Sequence, residues 1–213
     1  MMDVLLLADL HGQLGKLESF MTLQPDFVII AGDLTQFGPC DMVNKVTSLI
    51  DVPCFAVPGN CDPCDICDAL EHSDCVNLHG AAFSLGNISM AGVGGSNPTP
   101  FGTPFELKEE EIDRLIKEAT AHMDRNVHNV LISHVPPHGV FDLAGENHVG
   151  STSVRNHIKE FDLVCCAHMH ENKGVTEVDG VKIVNPGPAS EGNCALIHFG
   201  DEPKQIEIEL LTL

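Results

Sequence analysis

Residues 4–11 read Val-Leu-Leu-Leu-Ala-Asp-Leu-His, an apolar run of one strand's length that ends in an aspartate and a histidine. A short apolar run without polar alternation is typical of a strand that is buried on both faces of a sheet. The pattern recurs along the chain at residues 27–30, 54–57, 130–132 and 163–166. These runs predict the interior strands of a layered α/β protein.

Helices are predicted between several of these runs, at residues 14–21, 41–50, 108–123 and 154–160. The third of them carries apolar residues at helical spacing on one face. Later in the chain the pattern changes to strands, because Asp179-Gly180 is a strong hairpin signal and residues 194–199 and 205–211 have strand character. Strands therefore come from both halves of the chain. We predict two packed sheets with helices outside, in one domain spanning residues 1–213.

The charge of the chain limits the partners it is expected to bind. The net charge is −20, with only 11 lysines and arginines. Proteins that follow a nucleic-acid backbone normally present a basic face, so we expect no extended DNA or RNA partner. A small phosphate-bearing substrate is compatible with this charge if bound cations reverse the local potential.

No segment approaches the roughly 18 consecutive apolar residues of a membrane span. The apolar run at residues 4–8 is short and has no basic stretch before it, unlike a signal peptide. The expectation is a cytoplasmic protein without a membrane partner.

The chain has nine cysteines, and four of them lie close together in sequence: Cys61, Cys64, Cys67 and Cys75. A C-x-x-C-x-x-C spacing can hold zinc or an iron–sulfur cluster. Ordinary reduced thiols are the alternative, since the fourth ligand is missing from its usual place. The sequence favours reduced thiols and leaves the cluster open.

Polar residues with metal-binding side chains follow each of the five apolar runs. They are Asp9 and His11, Asp33, Asn60, His134, and His168 with His170. Sites form at the carboxyl edge of open α/β sheets, and residues two apart in extended chain point to the same side. Oxygen and nitrogen ligands of this kind suit manganese, iron, zinc and similar divalent ions. One such residue alone is usually a cap or turn residue, but five matching strand ends predict a shared site.

This ordered set resembles the calcineurin-like metallophosphoesterases, and the likeness covers nearly the whole chain. The family motifs are Asp-x-His, Gly-Asp, Gly-Asn-His-Asp/Glu, a lone His and Gly-His-x-His. Here they read Asp9-Leu-His11, Gly32-Asp33, Gly59-Asn60-Cys61-Asp62, His134 and Ala167-His168-Met-His170. In size the chain is similar to the prokaryotic and archaeal phosphodiesterase branch.

The resemblance implies a four-layer α/β/β/α sandwich with a dinuclear metal centre at one edge. It implies two divalent ions, with manganese expected and iron, zinc, nickel or cobalt as alternatives. By matching position, one ion would be bound by Asp9, His11 and His170, the other by Asn60, His134 and His168, and both by Asp33.

Two residues depart from the family pattern. Ala167 replaces a glycine, a small change beside the ligands. Cys61 replaces a histidine that, in many relatives, contacts the substrate and can protonate the leaving group. A thiol is a weak donor, so we expect good leaving groups or a proton from water or another histidine. The candidate catalytic residues are Asn60, Cys61, Asp62 and His134.

The substrate side of the site is less defined by the sequence. The Gly- and Pro-rich segment 92–105 contains Asn97, and the later loop contains His138 and His148. Asn97 and His148 are candidate substrate-binding residues. Their alternative is a surface loop with surface histidines.

The predicted function is hydrolysis of a phosphate ester, a diester rather than a monoester, by a hydroxide that two metal ions share. The alternative is a non-catalytic relative with the same fold, either a metal-binding module or a protein-interaction scaffold. The natural substrate, the metal and the oligomeric state stay open at this point.

Overall fold

The chain forms fourteen strands and five helices in the computed structural model, which describes residues 1–213. The strands are β1 Met2–Leu7, β2 Phe27–Ala31, β3 Cys54–Val57, β4 Cys75–Asn77, β5 Ala82–Leu85, β6 Ile88–Val93, β7 His128–Ser133, β8 Leu143–Ala144, β9 Asn147–His148, β10 Leu163–Cys165, β11 Gly174–Val178, β12 Val181–Asn185, β13 Asn193–Phe199 and β14 Ile206–Thr212. The helices are α1 Leu17–Met21, α2 Met42–Thr47, α3 Ile66–Glu71, α4 Glu109–Ala121 and α5 Thr152–His157.

Twelve strands pair into two six-stranded sheets, and β8 and β9 form a separate hairpin. The first sheet has the order β14-β13-β1-β2-β3-β4 and the second has the order β11-β12-β10-β7-β6-β5. Four neighbouring strands of each sheet run parallel: β1 to β4 in the first, and β6, β7, β10 and β12 in the second. Because parallel strands share a direction, their carboxyl ends meet along one edge of each sheet.

The apolar runs are buried on both faces because each sheet has a layer on either side. In β1, Val4 and Leu6 belong to the core between the two sheets. Leu5 and Leu7 belong to a second core that packs under α1, α2 and α3. A third core joins the other face of the second sheet to α4 and α5. The predicted four-layer α/β/β/α sandwich is confirmed.

The helices are shorter than the sequence pattern predicts. The chain before α1 makes a tight turn, in which Leu17 N donates to Leu14 O, so the helix begins at residue 17 instead of 14. After α2, residues 48–50 continue in hydrogen-bonded turns and not in the helix. The sequence pattern does not predict α3, β4 or the β8–β9 hairpin, since these elements are short and carry little periodicity.

All nine cysteines are free thiols. The four clustered cysteines do not converge on one point. Cys75 contacts Cys54 on the neighbouring strand with a sulfur–sulfur distance of 3.1 Å, and Cys64 donates to Pro104 O. No group of potential metal ligands contains more than one cysteine, which favours the interpretation as ordinary thiols.

None of the helices combines the length and the apolar character needed to cross a bilayer.

Candidate metal centre

The seven candidate ligands lie at the edge where the carboxyl ends of both sheets meet. Asp9, Asp33 and Asn60 follow the adjacent strands β1, β2 and β3, and His134 and His168 follow the adjacent strands β7 and β10. Backbone hydrogen bonds connect the loops: His11 N donates to Asp33 O at 2.9 Å, and Ala167 N donates to His134 O at 2.9 Å. Each loop is therefore fixed by its neighbour as well as by its own strand.

Four of the candidate ligands have left-handed backbone conformations, which side chains other than glycine rarely adopt. Their φ angles are 54° for Asp9, 48° for His11, 52° for Asp33 and 69° for His168. Conformations of this kind cost free energy and cluster at functional sites, where the surroundings hold them. The backbone is strained at the same residues that the sequence singled out for metal binding.

Two glycines permit this crowding. A Cβ atom on Gly32 would overlap the imidazole of His134, and a Cβ atom on Gly59 would overlap the carboxylate and amide of Asp33. Gly32 also has a φ of +94°, which favours glycine on its own. Gly32 therefore lets the β2 loop contact His134 of the opposite sheet, and Gly59 lets the β3 loop contact the β2 loop.

One half of the centre contains Asp9, His11 and His170. The Nε2 atoms of His11 and His170 are 3.1 Å apart, and His170 Nε2 lies 3.6 Å from Asp9 Oδ1. One potential ligand atom from each of the three residues lies within 4.8 Å of those of the other two. Asp33 reaches this half through Oδ2, which is 3.7 Å from His11 Nε2.

The other half contains Asn60, His134 and His168. Nδ1 of His134 lies 2.8 Å from Ala31 O, and a carbonyl only accepts, so this nitrogen carries the proton. The second nitrogen, Nε2, then presents a lone pair to Asn60 Oδ1 at 2.9 Å and to Asp33 Oδ1 at 3.6 Å. A backbone carbonyl behind the imidazole is the usual arrangement for a histidine that binds a metal. The ring of His168 lies 5.2 Å from that of His134, measured between centroids.

The buried polar atoms of this region are arranged to fit a cation. Both carboxylate oxygens of Asp9 are buried and have no hydrogen-bond donor. Burial without a partner is costly for a carboxylate, and buried charges are normally paired or bound to metal. Lone pairs of oxygen and nitrogen also face one another around His134. A divalent cation bound by these atoms would give the Asp9 carboxylate a partner and would relieve the repulsion between the facing lone pairs. The residues present therefore fit a metal site.

The pKa values of the candidate ligands in the protein without metal also agree with a metal site. Burial, reinforced by the nearby carboxylate of Asp9, raises the pKa of Asp33 to about 7. Burial also lowers the pKa of His134, and burial with the neighbouring His134 lowers the pKa of His168 to about 3. His134 and His168 therefore stay neutral and keep their lone pairs free. In the other half, burial alone would raise the pKa of Asp9, but the neighbouring His170 outweighs burial and lowers it, and Asp9 in turn raises the pKa of His170.

Asn60 is oriented by two residues that the sequence analysis did not identify. Its Nδ2 donates to Thr103 Oγ1 at 3.1 Å, and Thr103 Oγ1 in turn donates to Glu106 Oε1 at 2.7 Å. Because the amide nitrogen is engaged by Thr103, the amide oxygen faces His134. The signal in the sequence was the spacing Thr103-Pro-Phe-Glu106, a T-x-x-E pattern that normally marks local side-chain to backbone bonding.

The candidate catalytic residues next to Asn60 differ in their surroundings. The carboxylate of Asp62 is buried and accepts from the backbone amides of Leu34, Thr35 and Gly59. Backbone amides of the β2 and β3 loops engage both of its oxygens, so the contacts of Asp62 are those of a residue that holds these loops together. Cys61 is half-buried, its amide donates to Asp33 Oδ1, and its sulfur lies with His11 and Asp33 in one group of potential ligands.

The two candidate substrate-binding residues have different locations. Asn97 lines a cleft of about 480 Å³ that also reaches Asn60 and His168. His148 lies on the β8–β9 hairpin and pairs with Asp142, with Nδ1 2.6 Å from Oδ1, and it does not line the cleft. The structure thus brings Asn97 to the cleft beside the centre and leaves His148 paired with Asp142.

Comparisons with known proteins agree with the motifs and with the geometry. The family model described as "Calcineurin-like phosphoesterase" matches residues 2–172. The chain is 35% identical over 201 residues to the uncharacterized protein MJ1162 of Methanocaldococcus jannaschii, with 89% of each chain covered.

Solved structures share the fold along the whole chain. The protein TT1561 of Thermus thermophilus has a TM-score of 0.71 at 20% identity, with 98% of each chain covered. A protein described as a novel archaeal phosphodiesterase has a TM-score of 0.56 at 15% identity, covering 99% of this chain and 100% of the other. At these identities the structures show the fold, while the matched family model and the ordered ligand residues establish the relationship. The chain belongs to the calcineurin-like phosphoesterase family.

Proposed function

We propose that this protein hydrolyses a phosphodiester with the help of two divalent cations. The observation that carries the proposal is the buried carboxylate of Asp9, which has no hydrogen-bond donor for either oxygen and forms one group of potential metal ligands with His11 and His170. Membership of a metal-dependent phosphoesterase family supports the general reaction. We expect manganese to be an effective metal, with iron, zinc, nickel and cobalt as alternatives, since this ligand set accepts several ions.

Asp33 is the residue that we expect to join the two metal positions. Its Oδ2 lies 3.7 Å from His11 Nε2, and its Oδ1 lies 3.6 Å from His134 Nε2. The two oxygens therefore face different halves of the centre. When bound, the two cations would lower the pKa of a water molecule and stabilise charge that develops on the phosphate. Asn60, fixed by Thr103, and His134, fixed by Ala31 O, would hold their ligand atoms without further rearrangement.

The preference for a diester rests on Cys61. Burial and the carboxylate of Asp33 raise the pKa of this thiol far above its usual range, and a thiol is a weak donor. Protonation of a poor leaving group by Cys61 is therefore not expected, which favours esters whose leaving group needs little help. The fold shared with an archaeal phosphodiesterase makes a diester the first substrate to test.

Nine free thiols agree with action in a reducing compartment such as the cytoplasm.

The test combines metal content with turnover. Purified protein is analysed for bound elements, then assayed with bis(p-nitrophenyl) phosphate in manganese, iron, zinc, nickel and cobalt. We expect two ions per chain and turnover with at least one of these metals. Bound metal without turnover of this or any other phosphate ester would instead support a metal-binding module. Absence of bound metal under all conditions would support a protein-interaction scaffold.

A further inference from the structure

A cleft opens beside the metal centre, and its lining is largely apolar. Its volume of about 480 Å³ is within the range of small-molecule sites. Asn60 and His168 form part of its wall, so it is continuous with the half of the centre that contains these two residues. No lysine, arginine, aspartate or glutamate lines the cleft. In a chain with a net charge of −20, an uncharged cleft next to a predicted ionic site is a distinct feature.

The cleft has two walls that are tied together. Loop 97–101 forms one wall, and Ala144 and Val149 from the region of the β8–β9 hairpin contribute to the other. Asn97 Nδ2 donates to Val149 O at 3.1 Å, which joins the walls. Pro98 and Pro100 restrict the backbone of the loop. The walls are therefore positioned in the absence of any bound molecule.

Phe101 extends from the loop wall, and its side chain meets little of the protein. The residue is 86% exposed, the highest value among the large apolar residues of the chain. Its loop is nevertheless fixed, because Glu106 Oε1 accepts from Thr99 Oγ1 at 2.5 Å, from Thr103 N at 2.8 Å and from Thr103 Oγ1 at 2.7 Å. An aromatic ring that is carried on a fixed loop at the mouth of a small-molecule cleft is well placed to stack on a ligand ring.

We propose that this cleft binds an uncharged aromatic ester group of the substrate, with Phe101 stacked on its ring and the phosphate at the metal centre. This assignment rests on the phosphoesterase function proposed above. A substrate with a second phosphate or a carboxylate on that side would find no cation in the lining. An aliphatic ester group would fill the cleft but would gain no ring-to-ring contact, so the cleft distinguishes aryl or nucleoside esters from alkyl esters.

Binding of two non-hydrolysable analogues tests the cleft separately from turnover. Phenylphosphonate and cyclohexylphosphonate share the phosphorus group and a six-membered ring and differ in the aromaticity of that ring, and the Kd of each is measured by calorimetry on manganese-loaded protein. We expect wild-type protein to bind the phenyl compound about threefold to tenfold more tightly, which is the value of an aromatic pair beyond its buried area. Phe101→Ala should reduce this ratio to near one.

Phe83→Ala is the matched control, because Phe83 is also an exposed phenylalanine, 42% accessible, but lies on β5 outside the cleft. Its ratio of affinities should equal that of the wild type. A ratio of two Kd values does not depend on the fraction of correctly folded protein, so a loss of stability in either variant does not imitate the effect.

The outcomes separate this inference from the proposed function. An equal affinity for the two phosphonates in the wild type, or a ratio that Phe101→Ala leaves unchanged, overturns the aromatic cleft even if diesters are hydrolysed. A clear phenyl preference that depends on Phe101, without turnover of any ester, supports the cleft and contradicts the enzyme. Failure to bind either phosphonate also counts against the cleft.

Discussion

Asp33 shows how a single side chain can serve two positions at once. Its backbone is left-handed, its Oδ1 accepts from the amide of Cys61, and its two oxygens point toward different histidines. Gly59 leaves the room that this carboxylate occupies. The sequence identified Asp33 from the Gly-Asp pair after an apolar run, but the split orientation of its oxygens depends on contacts with both sheets.

We expect Asp33→Asn to lower metal binding and activity together. The amide keeps the size of the side chain but supplies one neutral oxygen in place of a carboxylate, so we expect a loss of at least about a hundredfold in turnover. Elemental analysis and kcat for bis(p-nitrophenyl) phosphate check this, with exposed Asp51→Asn as the control. A variant with two bound ions and wild-type kcat would refute the bridging role.

Thr103 orients Asn60 through the hydrogen bond that its Oγ1 accepts from Asn60 Nδ2. Thr103→Val keeps the shape and removes the oxygen that accepts from Asn60 Nδ2. The freed amide can then rotate, and we expect kcat/KM to fall roughly tenfold, as when an outer partner of a metal ligand is lost. Thr103→Ser should restore most of the activity, because it returns the hydroxyl. If valine and serine variants behave alike, the hydrogen bond does not position Asn60.

At the scale of elements, the β-strand ends could be predicted and the loops between them could not. The strands β1, β2, β3, β7 and β10 are strongly apolar and end in polar residues, so their type and a shared site at their carboxyl ends could be predicted. By contrast, the segment that contains Thr103 and Glu106 is determined by side-chain hydrogen bonds to one carboxylate. Such bonds leave no periodic pattern, which is why this wall of the site was not predicted in detail.

Glu109 connects two helices and gives a prediction about stability. It begins α4, yet its carboxylate accepts from Ser153 N at 2.8 Å and from Thr152 N at 3.2 Å at the start of α5. Burial alone would raise the pKa of Glu109, but these hydrogen bonds outweigh it and hold the pKa below its ordinary value. The ionised carboxylate therefore stabilises the folded state above the ordinary pKa, and this contribution is lost as the pH falls through the lowered one.

We expect Glu109→Gln to lower the free energy of unfolding by about 1 kcal/mol at pH 7, the usual value of a helix cap. The difference from wild type should shrink as the pH falls below roughly 4. Urea unfolding at several pH values measures it. Glu110→Gln is the matched control, since Glu110 is exposed on the same helical turn. A deficit that stays constant down to acidic pH would argue against an ionised cap.

For the whole molecule, the predicted architecture follows from the order of apolar runs, but the meeting of the two sheets requires the complete fold. Asp9, Asp33 and Asn60 come from the first sheet, while His134 and His168 come from the second. Neither sheet contains a full set of ligands. The candidate site therefore exists only when the core between the sheets is packed.

Removal of metal should consequently lower the stability of the entire protein. A ligand present at about 100 times its Kd stabilises the folded state by about 2.7 kcal/mol. For a chain of 213 residues this corresponds to a rise of roughly 5–10 °C in Tm. Thermal unfolding with manganese and with EDTA measures the shift, and Asp33→Asn should show a smaller one. Identical Tm values in both conditions would contradict metal binding at this edge.

The origin of the ligands in both sheets has a consequence for motion. Cations bound at this edge would connect the two sheets, since the sheets could then separate only if the ions were released. Amide hydrogen exchange should then slow in β2 and β7 alike on metal addition, although these strands belong to different sheets and are far apart in the chain.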